Sequence, residues 1–243
     1  MRVLLLFFSL LILHESEAQD KFEFELNSGI SYSIPYQKEV SILITDVDVD
    51  GGTNTNYNSN NDYFIGFLIS YKLNNKQSLS TGLSYVKYSL EITDYQLFQE
   101  QEGHLETNYF NIPFLFNQKY SDSSSFSISF GPYVGILIDA NENGTSYTDR
   151  AIVQLNPNNP RFQLQKEYNN DISNDYQNMD FGLLIQQNFE IKIHKSLFLN
   201  LFARFNLGLM NVITSDIFDR ETEYSAAEKW FNSYASFGGG IKF

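Results

Sequence analysis

Apolar side chains recur at every second position along most of this chain. Phe22, Phe24, Leu26, Ile30, Tyr32 and Ile34 share one face, and Glu23, Glu25, Asn27, Gly29, Ser31 and Ser33 lie between them. The same alternation carries Tyr63 to Leu73, Leu79 to Tyr85, Phe110 to Phe116, Phe126 to Ile138, Phe181 to Ile191, Leu197 to Leu209 and Ala235 to Phe243. A period of two predicts extended strands with one apolar face. Eight segments of roughly ten residues are each long enough to cross a bilayer at a tilt. An even number of antiparallel strands closes without an edge, and in lipid only closure satisfies every backbone group.

The connections alternate as strictly as the side chains. Short polar turns are expected at 74–77, 121–125 and 194–196, and long connections near 36–61, 93–104, 140–177 and 213–232. Short turns at one rim and long loops at the other are the habit of outer-membrane barrels. The expected fold is therefore all-β: an eight-stranded antiparallel up-and-down transmembrane β-barrel, with long external loops and short periplasmic turns. A soluble lipocalin-like ligand-binding barrel is the alternative. It would turn the apolar face inward, whereas here Gly and Ser collect opposite the large residues, where a narrow lumen needs small groups.

Three places strain this pattern. Pro113 lies inside the fourth segment and has no N–H to give a closed ladder, so a bulge or break is expected there. Tyr88, Leu90 and Ile92 shift the large residues to even positions past Val86, which predicts a bulge or an exit from the membrane. Tyr109 and Leu115 are expected to point into the lumen.

Residues 3–13 form an apolar run behind Arg2, too short for a membrane-spanning helix and right for the core of a signal peptide. Ser16 and Ala18 supply small residues for cleavage before Gln19. The expected organisation is a signal peptide over 1–18 and a barrel domain over 19–243. Cysteine is absent, which removes disulfides, thiolate metal sites and cysteine nucleophiles. Aromatics reach 16% with 22 Phe and 16 Tyr, too many for a disordered acidic chain. A net charge of −13 argues against nucleic acid as a partner.

Tyr109-Phe-Asn-Ile-Pro-Phe-Leu-Phe-Asn-Gln-Lys-Tyr120 resembles a strand of the PorT-like outer-membrane β-barrel family of Bacteroidota. Phe130-Gly-Pro-Tyr-Val-Gly135, Asp180-Phe-Gly-Leu-Leu184 and Ala203-Arg-Phe-Asn-Leu-Gly-Leu209 resemble the strands that follow, in order. Asn111 stands where the family pattern has Glu. The resemblance implies an eight-stranded outer-membrane barrel, whose eponymous members are linked to protein secretion, and carries over no catalytic residues. The end of the chain, Phe237-Gly-Gly-Gly-Ile-Lys-Phe243, is similar to the terminal signal read by the barrel assembly machinery, with Phe243 as its last residue.

Charge divides between the two rims. The long connections hold 17 acidic residues against Lys38, Arg150, Arg161, Lys166, Arg220 and Lys229, while the short turns and strand ends carry Lys72, Lys76, Lys119, Lys192 and Lys195. Arg204 sits mid-strand and is expected to face the lumen, where an unpaired charge is costly. Glu23, Glu25, Glu106, Asp180 and Glu190 are its candidate partners and those of Lys72. The interior is expected to be plugged and held by ion pairs, with no open pore.

Candidate chemistry is sparse. Asp46, Asp48, Asp50 and Gly51 match the first half of a calcium-binding loop, but Tyr57 stands where the bidentate Glu belongs. His104 with Asp94, Glu100 or Glu102 is the one arrangement that supports an external enzyme site. His194 falls at the opposite rim. Asn143-Gly144-Thr145 is a formal glycosylation acceptor that reads as a turn. Within the third long connection, 151–155 and 161–168 flank Asn156-Pro-Asn-Asn-Pro160 as an expected hairpin, and 41–44 are expected to extend the first strand.

The expected protein is thus a non-catalytic outer-membrane barrel without a cofactor, acting in surface interaction, envelope integrity or assistance to secretion. Its expected partners are outer-membrane lipids, a protein at the external hairpins and the assembly machinery at Phe243. An outer-membrane enzyme with an external site is the alternative class.

Overall fold

The computed structural model describes residues 21–38, 54–96, 99–148, 164–194, 196–213 and 229–243. The expected signal peptide, Asp46, Asp48, Asp50, 41–44 and 151–155 lie outside the described residues. Among the described residues ten strands follow one another: β1 (Phe22–Lys38), β2 (Asn54–Ser59), β3 (Asn61–Lys72), β4 (Gln77–Gln96), β5 (Gln99–Lys119), β6 (Phe126–Thr148), β7 (Gln165–Asp171), β8 (Met179–Lys192), β9 (Phe198–Gly208) and β10 (Lys229–Lys242). Among the described residues no helix is long and apolar enough to cross a membrane.

Eight of these strands close a ring in the order β1, β3, β4, β5, β6, β8, β9, β10, every pairing antiparallel. β10 returns to β1 over a ladder from Glu25↔Lys242 to Lys38↔Lys229. Phe24 and Phe243 exchange backbone hydrogen bonds of 2.8 and 2.9 Å below it. No edge is left within the ring, which is the condition for sitting in hydrocarbon.

Exposure decides which face is outside. Ile30, Ile65 and Phe237 are 60% or more exposed, while Ser31, Asn27 and Ser84 are buried. The apolar residues therefore face outward, the reverse of a soluble barrel, and the lipocalin-like alternative is excluded. Tyr63, Tyr85 and Phe110 line up at one border of this belt with ring separations of 5.9 and 6.2 Å. Phe22 with Tyr71, and Phe126 with Phe189, mark the other border. Such aromatic girdles sit at the two membrane interfaces. The short turns lie at the second border; Asn74 closes one by accepting the N–H groups of Lys76 and Gln77 at 2.9 Å each.

Several strands overshoot the belt. β4 and β5 stay paired to Gln96↔Gln99, so the expected loop at 93–104 is instead a continuous hairpin. β6 follows β5 to Thr148, β2 flanks β4, and β7 flanks β6. The result is a five-stranded sheet, β2-β4-β5-β6-β7, standing on one side of the outer rim. Residues 165–168 belong to it by pairing with Gly144 to Tyr147, and not to a separate hairpin within the connection. Asn143-Gly144 is mid-strand and not a turn. A Cβ on Gly144 would fall 2.1 Å from the Glu102 carbonyl oxygen, so this glycine permits close approach of β5.

The strained positions resolve individually. The β4–β5 ladder is interrupted between Thr81↔Phe114 and Ser84↔Asn111, beside Pro113, and resumes in the same register. The bulge falls elsewhere, between Asn108 and Tyr109 of β5 and across from Ile138 of β6. β4 keeps its phase: Val86, Tyr88 and Leu90 are buried on the same inward parity as Ser80 and Ser84. No bulge is needed: past the Tyr85 girdle β4 leaves the membrane, and its large residues fill the lumen on the inward parity. The irregular step lies in the neighbour, where Phe64↔Val86 and Ser59↔Leu90 leave one extra residue near Asn60. Asp62 bridges that step, accepting the Ser89 N–H at 2.7 Å, the Ser89 hydroxyl at 2.6 Å and the Ser33 hydroxyl at 3.1 Å.

Candidate functional site

Inward side chains sort into three levels. At the periplasmic end a cavity of about 510 Å³ is lined by Glu23, Glu25, Lys72, Asn117, Asn188, Glu190 and Lys242. Lys242 is its hub, 2.6 Å from both Glu23 and Glu190. Lys72 joins Glu23 at 2.9 Å and Lys119 joins Glu190 at 3.2 Å. Because β10 closes on β1, this network ties the first and last strands of the ring to β3, β5 and β8.

The middle level is a plug. Phe64, Val86, Tyr88, Tyr109, Phe202 and Tyr234 form one buried cluster, with Tyr88 at 5.0 and 5.7 Å from the Tyr234 and Tyr109 rings. Arg204 is embedded here, lying over Phe64 at 4.9 Å and Phe202 at 5.0 Å. Its Nε donates to Gln186 Oε1 at 2.7 Å. A desolvated guanidinium on aromatic faces gains about 2 kcal/mol. Above it Leu90, Leu105, Ala140, Tyr176 and Val212 make an apolar seal at the outer mouth. The aromatic layer separates the periplasmic cavity from that mouth.

The seven expected lumen charges thus divide. Glu23, Glu190 and Lys72 enter the periplasmic network. Arg204 belongs to none of the ion pairs among the described residues, so the expectation of a directly paired carboxylate is corrected: aromatic faces, the Gln186 amide and the Tyr234 hydroxyl hold it, and Glu25 attracts it only through space. Glu25 is held by Asn27 at 3.3 Å and Asn200 at 3.1 Å, and Asp180 by Tyr133 at 3.1 Å and Asn232 at 3.3 Å. Glu106 faces outward and pairs with Lys87 at 2.8 Å, just beyond the Tyr85 girdle. Alternation assigns a side chain to a face; only register and stagger assign its height, and these partners differ by height. Lys242 and Asp62 escaped sequence reasoning. The inward parity of Lys242 was legible, but its meeting with Glu190 requires the closed ring.

The outer face of the projecting sheet is the remaining candidate. Register places Glu91, His104, Asn143 and Asn169 in one row, and Thr93, Glu102, Thr145 and Glu167 in the next. Glu91, Glu102, His104, Glu167, Asn169 and Asp171 are exposed. The face is polar and acidic. Glu100 and Glu102 share its parity with His104, whereas Asp94 pairs with Gln101, one step out of phase with His104. Among the described residues no group of three metal-binding side chains converges.

A closed ring with a lipid-facing apolar belt and a filled polar interior defines an integral outer-membrane β-barrel. The sequence agrees: residues 17–214 match the model of the outer membrane protein beta-barrel domain family, and the chain belongs to that family. It resides in the outer membrane. No curated protein sequence matches it. Among solved structures it is similar to Neisserial surface protein A, at 10% identity and a TM-score of 0.40 over 91% of this chain and 95% of that one. OprG from Pseudomonas aeruginosa gives 11% and 0.38 over 92% and 96%. The outer membrane protease OmpT from Escherichia coli gives 9% and 0.39 over 95% and 99%.

Proposed function

We propose that this barrel is a non-conducting, non-catalytic scaffold that presents a protein-interaction surface outside the cell, within the PorT-like branch of its family. The observation that carries this reading is the projecting sheet. β4, β5 and β6 continue well beyond the aromatic girdle and recruit β2 and β7, so the chain builds ordered strand where a pore needs only loops. Seven residues of β4 beyond Ser89 span roughly 20 Å. The aromatic plug and apolar seal below serve rigidity and not passage. A polar face with exposed carboxylates at Glu91, Glu102 and Glu167 favours partners of opposite charge.

The test uses a photo-crosslinking amino acid at Thr145, at the centre of the face, in intact cells. Discrete higher-mass adducts are expected from Thr145, and none from the same substitution at Ile65 in the lipid-facing belt. A face that yields no adduct from Thr145, Asn143 or Glu102 on irradiation contradicts the reading.

A further inference from the structure

We propose that β7 captures its partner by strand addition, and that the partner segment is an extended polypeptide with basic residues at alternate positions. This rests on the surface-interaction reading and names its mode. β7 pairs with β6 alone among the described residues. The phase of that ladder is fixed at both ends: Thr148 N–H donates to Leu164 O at 3.3 Å and Ile172 N–H to Ala140 O at 2.9 Å. Even-numbered residues therefore bond to β6. The N–H and C=O groups of Gln165, Glu167, Asn169 and Asp171 point away from it, forming a sheet edge of four residues whose backbone groups are unpaired among the described residues. An open edge of this kind is a template for another strand.

The side chains of the same four residues choose the occupant. They lie on the acidic outer face, and every one of them is exposed. A strand laid antiparallel along β7 sets its own alternate residues directly opposite Glu167 and Asp171. Lysine or arginine at those places completes the face, and acidic residues there are repelled. A second copy of this chain is a poor occupant: with β7 fully overlapped on itself, each Glu167 lies diagonally between Glu167 and Asp171 of the other copy. A net charge of −13 on each chain adds to that repulsion.

The experiment uses the full chain refolded into nanodiscs and a fluorescent synthetic peptide of alternating lysine and threonine, read by anisotropy. Asn169→Pro removes an outward N–H without touching the β6 ladder, a change edge strands accept. It is expected to keep the boiling-dependent gel shift and to weaken peptide binding at least tenfold. Glu167→Gln with Asp171→Asn, and a peptide N-methylated at alternate amides, are each expected to weaken binding similarly. Equal binding by Asn169→Pro, or by the N-methylated peptide, overturns strand addition and leaves only attraction to the acidic face. Absence of peptide binding, or a wild-type dimer that Asn169→Pro dissolves, overturns it as well. The surface-interaction reading falls separately, by loss of Thr145 adducts in cells.

Discussion

Asp62 shows how one carboxylate lets a strand outgrow its barrel. Where β3 gives way to β2 the ladder to β4 loses its regular partner, and Asp62 accepts the Ser89 N–H that is left over. Hydrogen bonds to a charged group contribute about 1.5–3 kcal/mol each, and a buried donor left unmet costs about 1–3 kcal/mol. Asp62→Ala is therefore expected to lower unfolding stability in detergent by about 2–4 kcal/mol and to raise amide exchange first in β2 and upper β4. Uniform exchange along β4 contradicts this role. Asp171 acts more locally. The hydroxyl and N–H of Ser173 hold its carboxyl below the usual carboxylate range. A depressed carboxylate stabilises the fold above its unfolded pKa, and that contribution is lost as pH falls through the folded value. Protection of the Ser173 amide is expected to persist at neutral pH and to vanish on acidification, and Asp171→Asn removes the pH dependence.

Among elements, the β5–β6 pair best separates what lies in the membrane from what stands above it. Below the bulge at Asn108 the two strands are ordinary barrel staves, and beyond it they form the centre of the projecting sheet. Gly103 and Gly144 face each other there. Gly103 also lies under Tyr168 of β7, whose hydroxyl sits 2.4 Å from where a Cβ would be. Gly144→Val drives a side chain into backbone that has no room to yield, at a cost of about 1–3 kcal/mol or more. The barrel is expected to retain its boiling-dependent gel shift while exchange rises over 99–106 and 141–148. The pattern of large residues past Val86 was legible in sequence, but its cause was not. A lumen that accepts large side chains is visible only in the closed ring, where Gly238 of β10 leaves room for Phe64 and Phe202 of other strands.

For the whole molecule, closure, plugging and end-to-end locking act together. Tyr88, Tyr109 and Tyr234 block the middle of the ring, so a reconstituted bilayer is expected to carry no steady current. Tyr88→Ala combined with Tyr234→Ala is expected to produce resolvable steps. Steady conductance of the unaltered protein contradicts the plug. At the periplasmic end Lys242 holds Glu23 of the first strand and Glu190 of β8. Lys242→Met leaves two largely buried carboxylates short of a cation, with an expected loss of up to about 3 kcal/mol and a lower temperature for the gel shift. Lys72→Met, at a more exposed pair, is expected to cost well under half as much.

Alternation with a period of two determined the strands, their inward and outward faces and the ring they close, because each side of a barrel wall meets one solvent over its whole length. Tertiary structure alone decided which inward groups meet. Arg204 found Phe64, Phe202 and Gln186 in place of a directly paired carboxylate, and Lys242 found Glu190 across the closure, because stagger between strands sets height and no local pattern encodes it. The projecting sheet was hidden for a related reason. Beyond the membrane both faces meet water, so the apolar alternation fades into polar sequence that reads as loop, while the ladder of backbone hydrogen bonds continues to Gln96 and Thr148.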